Sequence, residues 1–155
     1  MHPTMTIRER IEQDFTKEFK ARNESAVSTL RMLRAALKNA EIEKMKPLDE
    51  ADVLDIVGRE VKKLRDGLDS FVAGNREDLA TVARGEIALL QAYLPEQLDD
   101  NGLKAIVRQK MEAMGPLTDK DFGRLMKEVM EEAKGRVEGN KVSKAVKDAL
   151  AEAKT

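Results

Sequence analysis

Residues 93–102 read YLPEQLDDNG. Pro95 has no backbone N–H and disfavours the α conformation in Leu94, so a helix arriving here must stop. Four residues later, Asp99 and Asp100 offer side-chain oxygens that cap a new helix. The stretch therefore predicts a boundary between two helical regions, an N-terminal domain over 5–94 and a C-terminal tail domain over 98–154.

Working upstream, apolar residues recur at the i, i+3, i+4 spacing of helices that bury one face. Helix one is predicted from Thr6 to Ala21 on the stripe Ile7, Ile11, Phe15 and Phe19. Helix two runs from Glu24 to Met45 on Ala26, Leu30, Leu33, Leu37 and Ala40, and Pro47 follows it. Asp49 caps helix three, whose stripe is Val53, Val57, Val61, Leu64, Leu68 and Phe71, and Gly74 and Asn75 end it. Helix four, from Arg76 to Leu94, carries Leu79, Val82, Ala83, Ile87, Leu90 and Leu94.

Downstream, helix five carries Leu103, Ile106, Val107, Met111 and Met114 and stops at Gly115-Pro116. Thr118, with Asp121 three residues on, caps helix six, whose stripe is Phe122, Leu125, Met126, Val129, Met130 and Ala133. Gly135 is predicted to end it in the left-handed region. Gly139 gives the chain a sharp re-entry, and Asn140 caps helix seven with Val142, Val146 and Leu150. No stretch alternates as a strand would. The predicted fold is all-α: a four-helix bundle-like unit followed by a small three-helix tail unit.

The composition agrees and narrows the chemistry. Of 155 residues 41% are apolar, enough for a core, and only 3% are aromatic, few rings for stacking bases. The lack of cysteine removes disulfides and thiolate catalysis, and with one histidine the usual structural zinc sites are excluded. That histidine, His2, lies in a start predicted to be disordered. No apolar run approaches the ~18 residues of a membrane span, and the first residues have no signal-peptide character. These absences predict a cytoplasmic protein.

Catalytic constellations are equally scarce. The acidic pairs, Glu41 with Glu43, Glu60 with Asp66, and Glu131 with Glu132, sit among lysines as solvated helix faces do. Ser143 and Lys147 are four apart, not at the Ser-x-x-Lys spacing of acyl enzymes. No phosphate-loop or dinucleotide motif is present. No catalytic residue, cofactor or metal is expected. The methionines Met111, Met114, Met126 and Met130 are predicted to be core, and Tyr93 to be a packing residue at the boundary.

Basic residues concentrate in one loop. Lys134, Arg136, Lys141, Lys144 and Lys147 face a single acid, Glu138, in a chain whose net charge is −1. Around a helix N-terminus, with its positive dipole end, such a cluster suits a phosphodiester backbone. Arg31, Arg34 and Lys38 form a second patch on helix two. A third group, Arg59, Lys62, Lys63 and Arg65, is interleaved with acids and reads as ordinary surface. With so few rings, recognition is expected through backbone and shape rather than stacking.

Three segments carry a resemblance: STLRMLRAALKNAEIEK (28–44), REDLA with GEIALLQAYLPEQL (76–98), and KGRVEGNKVSKAVKDAL (134–150). Together they resemble the GatB/YqeY family, collinearly from Met5 to Leu150. The resemblance implies a helical bundle and a three-helix tail. It is the unit that forms the C-terminal part of the GatB subunit of the tRNA-dependent amidotransferase, where it helps hold tRNA while another domain does the chemistry. It implies a free-standing, non-catalytic tRNA-binding accessory module in translation, lacking the amidotransferase's catalytic cradle. By position, Arg136 and Lys141 would contact tRNA phosphates, then Lys134, Lys144 and Lys147, with Arg31 and Lys38 on helix two. A protein–protein adaptor, docking on an amidotransferase or an aminoacyl-tRNA synthetase, stays open as the alternative.

Overall fold

A computed structural model describes residues 5–153, so His2 and Pro3 lie outside the described residues. The described residues form seven α-helices and one 3-10 turn, with no strand. The chain divides between Leu94 and Pro95 into two compact units.

The first unit holds α1 (Ile7–Lys20), α2 (Glu24–Lys44), α3 (Glu50–Ala73) and α4 (Glu77–Gln91). α1 starts at a capping box: the Thr6 hydroxyl accepts from the Glu9 N–H at 3.1 Å, and the Glu9 carboxylate accepts from the Thr6 N–H. Asn23 caps α2, and Asp49 caps α3 in a second box with Asp52. α3 packs on α1, α2 and α4, and α2 also touches the other three helices. Ile11, Leu30, Leu33, Leu37, Val53, Val57 and Leu90 are almost wholly buried between them. Burying one such side chain contributes about 1.5–3 kcal/mol.

Two predicted stripes are corrected here. Phe19 is not core: it is 58% exposed, while Ile11 and the partly buried Ile7 and Phe15 fill the α1 contact. α1 ends one residue after it, beyond the reach of the core. In α4 the buried face is Ala80, Ala83, Ile87 and Leu90, and Leu79 and Val82 are exposed. The two alanines admit a close helix approach, which leaves the larger neighbours at the edge. α4 also ends earlier than expected, at Gln91, and residues 92–94 continue as tight turns before Pro95.

Tyr93 is buried in those turns and ties them to α1. Its hydroxyl donates to Asp14 at 2.5 Å, and the Arg10 guanidinium lies 5.3 Å from its ring centre. Burial, then the Asp14 hydrogen bond and charge, push the phenol above its ordinary range.

The second unit holds α5 (Asp100–Met114), α6 (Phe122–Ala133) and α7 (Gly139–Ala153), each packed on the other two. Asp99, not Asp100, caps α5 by accepting from the Gly102 N–H at 2.7 Å. Leu98, just before the cap, packs on the cluster containing Leu103, the arrangement of a hydrophobic staple. Thr118 and Asp121 form the expected capping box, but on a 3-10 turn (Asp119–Asp121) that leads into α6. The four methionines are partly buried against a core of Leu103, Val107, Leu125, Val129, Val142, Val146 and Leu150.

Asn140 is not a cap. α7 already begins at Gly139, and the Glu138 carbonyl accepts from the N–H groups of Lys141 and Val142. Gly135 is left-handed at φ 79°, as expected, whereas at the end of α3 it is Asn75 that turns, at φ 59°, and Gly74 stays at φ −87°. Gly139 has no such φ, so no re-entry geometry requires it.

Candidate nucleic-acid interface

The loop between α6 and α7 is built by backbone geometry first. Lys134 leaves the helix at ψ 129°, and Gly135 turns the chain back in the left-handed region, which L side chains adopt only at a cost. The Arg136 N–H then donates to the Ala133 carbonyl at 2.9 Å.

The rest of the loop is held by the YLPEQL stretch. The Leu98 N–H donates to the Arg136 carbonyl at 2.8 Å. The Gln97 amide donates to the carbonyls of Gly135 at 3.0 Å and Pro95 at 2.9 Å. Arg136 donates from Nε to the Glu96 carbonyl at 3.0 Å and from Nη1 to the Glu132 carbonyl at 3.4 Å. Two motifs some forty residues apart are thus two halves of one clasp. The Arg136 guanidinium is aimed at carbonyls within its own unit, and its first task is to join the entry of α5 to the exit of α6.

The lysines are placed differently. Lys134, Lys141, Lys144 and Lys147 are all exposed. On α7 the last three lie away from the buried Val142, Val146 and Leu150. The side chains of Lys141 and Lys144 have no hydrogen bond, ion pair or ring contact among the described residues, and Lys147 Nζ lies 5.9 Å from the Phe122 ring centre. This cationic face at the start of a helix can meet an extended polyanion.

On α2, Lys38 and Arg31 are exposed, whereas Arg34 donates to Glu12 at 2.9 Å and lies over the Phe15 ring at 4.0 Å. Glu41, one of the acids considered for chemistry, is paired with Arg8 at 2.5 Å. That hydrogen bond, more than the charge, lowers its carboxyl below the usual range. The α2 residues belong to the first unit and the loop lysines to the second.

Other chemistry is sparse. No group of three His, Cys, Asp or Glu residues able to hold a metal exists among the described residues, and no buried side-chain polar atom there lacks a partner. No described helix is long and apolar enough to cross a membrane. A groove of about 740 Å³ runs between α5 and α7, floored by Val107, Met111, Leu117, Ala145 and Ala149.

These features define an all-helical protein of two units with a basic, clasped loop in the second. The chain belongs to the Yqey-like protein family, which it matches over residues 8–150. It is 35% identical over 85 residues to the "Altered inheritance of mitochondria protein 41, mitochondrial" of Eremothecium gossypii, a match covering 54% of this chain and 46% of that protein. It is 24% identical over 152 residues to the protein of the same name from Pyrenophora tritici-repentis, covering 96% of this chain and 83% of the relative. The match to the Saccharomyces cerevisiae protein of that name (strain YJM789) is 29% over 84 residues, covering 54% and 45%. The chain thus spans just under half the length of two of these three relatives.

The cytoplasmic expectation does not stand. These relatives are named as mitochondrial proteins, and an absence of cysteine and of apolar segments does not separate one reducing compartment from another.

Proposed function

We propose that this chain is a non-catalytic accessory module that holds tRNA through its phosphate backbone. The observation that carries the reading is the exposed row of Lys141, Lys144 and Lys147 along α7, with Lys134 exposed at the end of α6. The likeness of the 134–150 segment to the tail of the amidotransferase GatB subunit supports the same substrate class. Arg136 enters this proposal as the residue that sets the loop's shape, with phosphate contact assigned first to the lysines. Lys38 and Arg31 on α2 supply a second, smaller cationic surface.

The test is fluorescence anisotropy of labelled tRNA against the purified chain. The relatives are named for mitochondria, so a mitochondrial tRNA pool belongs beside a bulk one. Four phosphate contacts give a log–log salt slope of roughly −3 to −4, so affinity should fall about a hundredfold between 50 and 200 mM salt. Lys141→Ala with Lys144→Ala should flatten the slope by about 1.5 to 2. No binding at low salt, or binding indifferent to both changes, refutes the reading. The groove between α5 and α7, whose apolar floor is rimmed by Lys104, Arg108, Glu112, Asp148 and Glu152, favours the adaptor as second reading; association with a protein that survives high salt would select it.

A further inference from the structure

The groove between α5 and α7 lies wholly within the second unit, and none of the lysines assigned to tRNA lines it. Its walls run from Lys104 to Glu112 on α5 and from Ala145 to Ala153 on α7, each about 12 Å long, a little over two helical turns. Ala145 and Ala149, one turn apart on α7, leave open the space beside Val107 and Met111 of α5. Leu117, past the C-terminus of α5, lines one end.

The walls decide what can lie there. The side chains of Val107, Met111, Leu117, Ala145 and Ala149 offer no nitrogen or oxygen for a hydrogen bond. Between Lys104 and Met111, and between Ala145 and Ala149, the wall backbone is α-helical and its polar groups are engaged along the helices. An extended peptide pressed onto this floor would bury N–H and C=O groups without partners, whereas a helix arrives with its own already paired. The alanines let such a helix approach closely. The charges are ordered as well. On the α5 wall Lys104 and Arg108 are exposed one turn apart, and on the α7 wall Asp148 and Glu152 are exposed one turn apart. A cationic edge thus faces an anionic edge across an apolar floor. A polyanion such as RNA would meet repulsion from the α7 wall and find no ring to stack on. A helix with an apolar stripe, carboxylates along one edge and ammonium groups along the other meets both walls.

We propose that the α5–α7 groove is the docking site for an amphipathic helix of a partner protein, which lies as a fourth helix on the three of this unit. Its acidic edge runs along Lys104 and Arg108 and its basic edge along Asp148. Because the two walls differ in sign, they also fix the direction of the guest helix: turned end for end, it would set like charges together. This goes beyond the tRNA reading and does not rest on it; it gives the adaptor alternative a surface and a partner chemistry.

Two labelled helical peptides of about eighteen residues with the same leucine stripe serve as probes. One carries glutamates along one edge and lysines along the other; the second carries lysines along both. Fluorescence anisotropy against the full chain should show about tenfold tighter binding of the mixed-edge peptide. Lys104→Glu with Arg108→Glu, both at exposed positions, should keep the circular dichroism spectrum of the parent and reverse that preference. Ala149→Leu, which fills the floor, should weaken both peptides about tenfold or more. No binding of either peptide, equal binding of both by the parent, an unreversed preference in the charge variant, or indifference to Ala149→Leu overturns the proposal. A parent chain that is dimeric, with a dimer broken by Ala149→Leu, would assign the groove to a second copy and overturn it too. The reversal of preference is read without tRNA, so failure of the tRNA reading leaves this test standing.

Discussion

Arg136→Lys separates a structural role from a ligand contact, because it keeps the charge and loses the forked geometry. In the structure the guanidinium makes one good hydrogen bond, to the Glu96 carbonyl at 3.0 Å, and one long one, to the Glu132 carbonyl at 3.4 Å. A charge-assisted hydrogen bond contributes about 1.5–3 kcal/mol. Here water screens the partly buried group and can replace it at Glu96, so the net loss should be about 1–1.5 kcal/mol. That corresponds to a roughly five- to twelvefold larger open population of the clasp.

The assay is native-state hydrogen exchange followed by mass spectrometry. Peptides covering 95–103 and 130–138 should lose protection, the Leu98 amide among them, since it donates to the Arg136 carbonyl. Peptides from residues 5–94, which have a separate core, should not change. tRNA affinity of the same variant should stay within about twofold of the parent, because the charge is retained. Unchanged exchange together with a large loss of affinity would refute the reasoning and return Arg136 to the phosphate contacts.

Two further outcomes follow from local geometry. Tyr93→Phe should cost about 1.5 kcal/mol near pH 7 in a urea titration, because Asp14 loses a donor. The Tyr93 phenol is raised above 10.0, so its contribution is complete below that pH and is lost as pH rises through the folded value; the parent should weaken there more steeply than Tyr93→Phe, and equal slopes would count against the Asp14 contact. Gly135→Ala should cost about 1–2 kcal/mol, since a Cβ is placed at φ 79°, and an unchanged denaturation midpoint would show that the loop relaxes at no cost.

Much of the helical architecture was legible because its signals are local. Pro95, the caps at Asp49, Asp99 and Thr118, and the Val53–Leu68 stripe each act within one or two turns, and the helices begin and end close to where those residues predict. Errors came where a neighbour decides. Leu79, Val82 and Phe19 have helical spacing, but spacing does not say which stripe edge the next helix covers. Asn140 has the chemistry of a cap, yet α7 starts one residue earlier, where Glu138 already accepts the first bonds.

The candidate site shows the same division. From the sequence alone one could see that basic residues gather between 134 and 147 and that glycine must turn the loop at 135. Charge and φ preference are properties of single residues, so a linear chain displays them. That Arg136 directs its hydrogen bonds to Glu96 and Glu132, while Lys141 and Lys144 stay exposed, was decided only when the 95–98 segment met the 134–138 loop. Likewise Phe15 and Arg34 met only when α1 packed on α2. A side chain's free donors and open faces are what remains after its neighbours in space have been chosen, and sequence order does not name those neighbours.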